Sequence, residues 1–168
     1  DEKRGLLSML KAALSSWPKP VIKAPPHIAA TGRNMASRLL RDAPGVLMPP
    51  TQRVPRQILS AIATGNIRLA DLFKDYDFPI ILRPVDSHGG HGLDRVERYE
   101  DVAAYLSRVD GAEFFLSRFV DYSGEDGLFR KMRVALIDGK PFACHMGVSS
   151  HWMIHYVNAG MYEDASKR

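Results

Sequence analysis

The stretch FPIILRPVDSHGGHGLDRV, residues 78–96, decides how this chain is read. Residues 78–84 form a short apolar run that fits a buried strand better than a helix. Residues 93–96 read as a second strand, so Ser87, His88, Gly89, Gly90, His91 and Gly92 form the glycine-rich tip of a hairpin. Glycine reaches positive φ and lets backbone amides approach a ligand closely. A plain turn needs one or two glycines; this loop has three, with a serine and two histidines, directly behind the strand-borne Arg83. That composition suits the cradling of phosphate. The loop is not a Walker motif, because no Gly-Lys-Ser/Thr closes it, and not a dinucleotide fingerprint, because a strand follows where that motif demands a helix.

Arg83 sharpens the reading. A guanidinium carried by an apolar strand must find either a carboxylate or an anion. Beyond the hairpin, residues 100–109 read as a helix and residues 113–121 as a strand rich in Phe. Residues 129–146 read as two strands joined by the tight turn Asp138-Gly139. Alternation places Met132, Val134 and Leu136 on one face of the first of these strands, and Lys131 and Arg133 on the other. Counting from a two-residue turn sets Arg133 opposite Cys144 and Met132 opposite His145, which puts His145 beside the core. Arg83, Lys131 and Arg133 are expected to face one cleft.

Upstream, residues 3–17 read as an amphipathic helix with Leu6, Leu10, Ala13, Leu14 and Trp17 on one stripe, ended by Trp17-Pro18-Lys19-Pro20. A short extended piece at Val21-Ile22 leads to Ala24-Pro25-Pro26. A helix across Met35, Leu39 and Leu40 follows, with Thr31 or Gly32 as its cap. Residues 48–51 read as a connector stiffened by Pro49 and Pro50. Two helical stretches, near residues 56–63 and 67–73, complete the upstream part.

In a chain of 168 residues, an apolar content of 45% supports a globular core and excludes disorder. The apolar runs fall far short of the ~20 residues a membrane helix needs. No export leader precedes the first helix. A cytoplasmic protein without membrane contact is therefore expected. The lone Cys144, which cannot close an intramolecular disulfide, reads as a small core residue. The net charge of +4 is spread along the chain, and no recognition helix or RNA-binding aromatic signature accompanies it, so nucleic acid is not an expected partner. Neither His88 with His91 nor His151 with His155 reads as a metal site: the segment 151–157 is rich in strand formers, and its two histidines would lie ~13 Å apart when extended.

The order of these parts resembles the ATP-grasp family, nearest its glutathione synthetase and RimK-type branch. The residues that carry the likeness are Ile80-Ile-Leu-Arg-Pro84, the loop Ser87 to Gly92, Glu113-Phe-Phe-Leu-Ser-Arg-Phe-Val-Asp121 and the hairpin that begins at Arg130. The resemblance spans about residues 78–160 and implies an α+β fold: an antiparallel sheet with a glycine-rich hairpin and flanking helices. Residues 1–54 are then the tail of a preceding α/β domain with its connector, and residues 55–168 a partial nucleotide-binding domain. It further implies ATP and Mg2+ as cofactors, and an ATP-dependent ligase that joins a small-molecule carboxylate to an amine through an acyl phosphate.

On this resemblance Arg83 stands where the family has a phosphate-binding lysine. Arg118, Phe119 and Val120 form the adenine hinge, Ser117 replaces the glutamate before it, and Glu125 meets the ribose. Lys131 lies beside the phosphates, and Arg133 is the catalytic arginine that steadies phosphate or acyl phosphate. The family's magnesium carboxylates have no counterpart before Arg168; Asn158 is isolated, and the metal ligands are expected outside this sequence. The absence of a starting Met and of a closing element reads as a piece of a longer protein. A nucleotide-sensing module without turnover, and a basic nucleic-acid binder, are the alternatives.

Overall fold

The computed structural model describes residues 2–29, 31–74 and 76–155. Three short helices come first: α1 (Glu2–Ala13), α2 (Pro25–Ala29) and α3 (Arg33–Leu39). Strand β1 (Thr51–Pro55) runs directly into α4 (Arg56–Ala63), and the one-turn α5 (Leu69–Leu72) follows. Next come β2 (Ile80–Pro84), β3 (Asp94–Val96), α6 (Tyr99–Arg108) and β4 (Glu113–Arg118). The long hairpin β5 (Phe129–Ile137) and β6 (Lys140–Ser149) completes the order.

Four strands form one antiparallel sheet in the order β1-β4-β2-β3, and β5 and β6 form a second, two-stranded sheet. Alternation sends Val54, Ile80, Leu82, Val96, Phe114 and Leu116 to one face of the first sheet, where α4 and α6 cover them with Leu59, Ile62, Val102, Tyr105 and Leu106. Glu100 and Asp101 in the first turn of α6 and Arg108 in its last suit the helix dipole. The carbonyls at the end of α6 are met from another element: the Arg56 guanidinium donates to Val109 O at 3.0 Å, to Gly111 O at 3.3 Å and to Leu106 O. One arginine thereby ties the start of α4 to the end of α6.

Several expectations change here. Residues 51–54 are strand, not connector: Thr51 faces Ser117 and Val54 faces Phe114 across the ladder, so the boundary expected at 54/55 falls inside β1. Val21 and Ile22 do not form a strand, and Pro25 and Pro26 open α2, in line with proline's tolerance of a first helical turn. Helix α1 ends at Ala13, short of the expected Trp17, and Leu6 and Leu10 of its apolar stripe, like Trp17 beyond it, are exposed. Residues 151–153 form a bend in which the Met153 amide donates to His151 Nδ1, rather than a strand. Residues 156–168, with Asn158, lie outside the described residues.

The turn between β5 and β6 has the expected type, with φ of 50° at Asp138 and 73° at Gly139. The ladder beyond it does not follow a simple count. It slips at Arg133/Val134, so Val134 pairs with Ala143 whereas Arg133 pairs with His145 and Met132 with Met146. Cys144 is the extra residue of this bulge and is exposed, not a core residue. No helix of the described residues is long and apolar enough to cross a membrane.

Candidate functional site

The face of the first sheet turned away from α4 and α6 carries Arg53, Ile81, Arg83, Arg95, Phe115 and Ser117 by the same alternation. Each arginine has a defined attachment. Arg53 Nε donates to Glu113 Oε1 at 2.8 Å, a charge-assisted pair between neighbouring strands. Arg95 pairs with Glu97, its Nε 2.7 Å from Oε1, and lies over the Phe119 ring with 4.1 Å to the centroid. Arg83 Nη2 donates to Ser87 O at 2.7 Å and to Ser87 Oγ at 3.1 Å.

Arg83 therefore meets neither of the two partners its sequence context offered. It grips the base of the glycine-rich loop, and Ser87 Oγ in turn donates to Pro84 O at 3.0 Å. Burial, and after it the charge of Arg33, push the Arg83 guanidinium below its ordinary value. A second cation close to a partly buried guanidinium is the arrangement that an anion would relieve.

The loop connects two antiparallel strands as expected, and no helix begins in it. It is a chain of short turns, with hydrogen bonds from Ser87 N to Pro84 O, His91 N to His88 O and Leu93 N to Gly90 O. Among the described residues, the amides of Gly89 and Gly90 at the tip make no backbone hydrogen bond. Gly92 closes the loop at φ +63°, and a Cβ there would lie 2.8 Å from Pro84 Cδ and 3.0 Å from Val109 Cγ1. Tyr105 in α6 fixes the same point by donating its hydroxyl to Gly92 O at 2.7 Å. At the tip, a Cβ on Gly90 would touch Met153 Sδ at 3.4 Å, so the bend 151–153 borders the loop.

A cavity of about 790 Å3 opens between the loop, the arginine-bearing face and the first helices. Ser87, His88, Arg53 and Phe115 line one side; Arg33, Lys11, Ile28 and Met35 line the other. The volume falls within the range of small-molecule pockets; both sides carry cationic and apolar residues, Asp86 adds one carboxylate, and Arg83 stands behind Ser87 rather than in the lining itself. Arg33 and Arg53 were not singled out from sequence. Arg53 carried a signal, since the β-branched Thr51 and Val54 mark a strand whose alternation turns residue 53 outward. Arg33 carried none, because its place depends on how α3 meets the sheet.

Lys131 and Arg133 do come together, but around a second concavity of about 480 Å3 on the β5–β6 hairpin, whose lining does not include Arg83. His145 lines that concavity beside Arg133, and is not a core residue. The segment expected as an adenine hinge follows β4. Phe119 N already donates to Pro79 O at 3.0 Å, and the Phe119 ring meets Trp152 edge-on at 5.8 Å. Arg118 is exposed, Val120 half-buried and Ser117 half-buried, while Glu125 stands exposed in the turn before β5. The described residues hold no group of three or more His, Cys, Asp or Glu that could bind a metal ion, so the magnesium implied by the resemblance finds no fitting ligand set here.

No protein-family model matches the chain. Among solved structures, it is similar to the crystal structure of D-alanine–D-alanine ligase from Helicobacter pylori, with a TM-score of 0.50 and 13% sequence identity. The match covers 84% of this chain and 39% of that one, so the chain spans about two-fifths of the ligase's length. At that identity the likeness concerns the fold, and the mixed α+β arrangement of antiparallel sheets with flanking helices is ATP-grasp-like.

Proposed function

We propose that this chain is the nucleotide-binding part of an ATP-grasp protein, an ATP-dependent ligase that joins a carboxylate to an amine. The observation that carries the reading is the union of Arg83 with Ser87 at the foot of the glycine-rich hairpin, next to Arg33 and a cavity of nucleotide size. The ATP-grasp-like fold and the ligase neighbour support the same class. In such a reaction a carboxylate oxygen attacks the γ-phosphorus and ADP departs. The amine then attacks the acyl carbon and expels phosphate.

What this chain's residues supply is charge and position. Arg33, Arg53 and Arg83 offset phosphate charge, and at the partly buried Arg53 and Arg83 each contact is stronger than in water. The Gly89 and Gly90 amides offer short-range donors to the same oxygens. Arg83 also holds Ser87, and so sets the loop before any ligand arrives. An adenine edge at residues 118–120 would use backbone groups other than the Phe119 amide, which Pro79 occupies. No step here is assigned to magnesium, for which the described residues provide no ligand cluster.

Calorimetric titration with ATP tests the reading. Arg83→Ala should weaken binding tenfold to a hundredfold, the effect of losing a charge-assisted contact worth about 1.5–3 kcal/mol. Unchanged affinity in that variant would remove the loop from the nucleotide site. Steeply salt-dependent binding to DNA or RNA without any effect of ATP would replace the proposal with a nucleic-acid-binding function.

A further inference from the structure

We propose that the concavity on the β5–β6 hairpin binds a small organic acid with two or more carboxylates, as the acid substrate of the ligase reaction. Lys131, Arg133, His145 and His155 supply its polar lining, and Met132, Val134 and the buried Gly147 and Ile154 complete it. Among the described residues, no Asp or Glu lines it.

The bulge creates this set. A regular hairpin from Asp138-Gly139 would place His145 opposite Met132, on the apolar face. The slip at Arg133/Val134 instead brings His145 directly across from Arg133, and bulges characteristically re-aim side chains in this way. Lys131 lies two residues from Arg133 and so shares its face. Its ammonium donates to Ile154 O at 3.2 Å, which holds one of its three donors at the wall of the concavity. Two cations on one face, with no carboxylate of the described residues among them, repel each other, and an anion placed between them removes that cost. Arg133 offers a planar fork that matches a carboxylate, and His145 and His155 stand beside it in the lining.

A volume of about 480 Å3 suits a small organic molecule better than a lone inorganic ion. Anion binding follows from this lining alone; the choice of carboxylate over phosphate rests on the ligase reading.

Parallel NMR titrations of the isotope-labelled chain with succinate, acetate, inorganic phosphate and ATP test the site. Succinate should move the resonances of Arg133, His145, Gly147 and His155, and Arg133→Gln should weaken that effect about tenfold. Lys140→Gln removes the same charge at the hairpin turn and should leave succinate binding unchanged. Equal losses in the two variants, or shifts scattered over the whole basic surface, would overturn the site. Inorganic phosphate or acetate binding these residues as tightly as succinate would overturn its assignment to a polycarboxylate. If Arg133→Gln disturbs the β5–β6 amide resonances in the free chain, Lys131→Gln takes its place with the same expectation. The ATP arm reports at Arg83 and the glycine-rich loop. Succinate binding without ATP binding therefore sinks the nucleotide reading alone, and ATP binding without succinate binding sinks this one alone.

Discussion

Replacing Gly92 by alanine tests how the glycine-rich loop is closed. At φ +63° an L-residue pays roughly 1–2 kcal/mol that glycine does not. The new Cβ would also stand 2.8 Å from Pro84 Cδ, 3.0 Å from Pro84 Cγ and 3.0 Å from Val109 Cγ1. Val109 can rotate aside, but the proline ring cannot, and forced overlap in a packed region costs about 1–3 kcal/mol. Against these stands the lower entropy of the unfolded alanine chain, worth about 0.4–1 kcal/mol. The net loss expected is about 1–5 kcal/mol, centred near 3. Gly65 provides the internal control, because its φ of +75° carries the same backbone penalty while nothing lies within 4 Å of its added Cβ. Gly65→Ala should therefore lose only about 1 kcal/mol. Urea denaturation followed by far-ultraviolet circular dichroism measures both variants. Equal destabilisation of the two, or a Gly92→Ala variant within about 0.5 kcal/mol of the parent, would refute the account of steric closure by Pro84 and Val109.

Arg56→Ala should destabilise the chain by about 2 kcal/mol, read as a lower urea midpoint, since three carbonyls at the end of α6 lose one charged donor. The Asp126 carboxyl is held at about 2, first by the Arg130 guanidinium, 3.0 Å away, and next by the Leu128 amide. Because the folded value lies below the ordinary 3.8, the stabilisation is complete above that value and is lost as pH falls towards about 2. NMR titration of the Asp126 carboxyl should show a midpoint near 2 in the parent and a higher one in Arg130→Gln; an unmoved midpoint would exclude the pair as its cause.

Much of the first sheet was legible because local pattern and final environment agree. The run 78–84, the helix near 100–109 and the strand starting at Glu113 each have a periodicity that matches one buried face, and α4 was read at its observed bounds. The glycine-rich hairpin was legible for the same reason: three glycines between two apolar strands admit few other structures. What the sequence could not show was every feature that depends on which elements meet. Strand β1 hid beside Pro49 and Pro50, since the pairing of Thr51 with Ser117 across the sheet, not local propensity, makes it a strand. Arg56 looked like an ordinary first residue of a helix until the fold brought the end of α6 to it.

The two cationic sites separate along the same line. That Arg83 leads into a phosphate-type loop follows from its neighbours in the chain, whereas its grip on Ser87, the charge of Arg33 acting on it and the sheet face it shares with Arg53 across Phe115 do not. Lys131 and Arg133 share a face by the period of two that every strand obeys. His145 joins them only because one residue, Cys144, is left unpaired, and that slip shifts all that follows it by a full face. Chain order thus determined which residues could carry charge towards a ligand. The pairing of distant strands, through contacts that no local pattern encodes, decided which of them stand together.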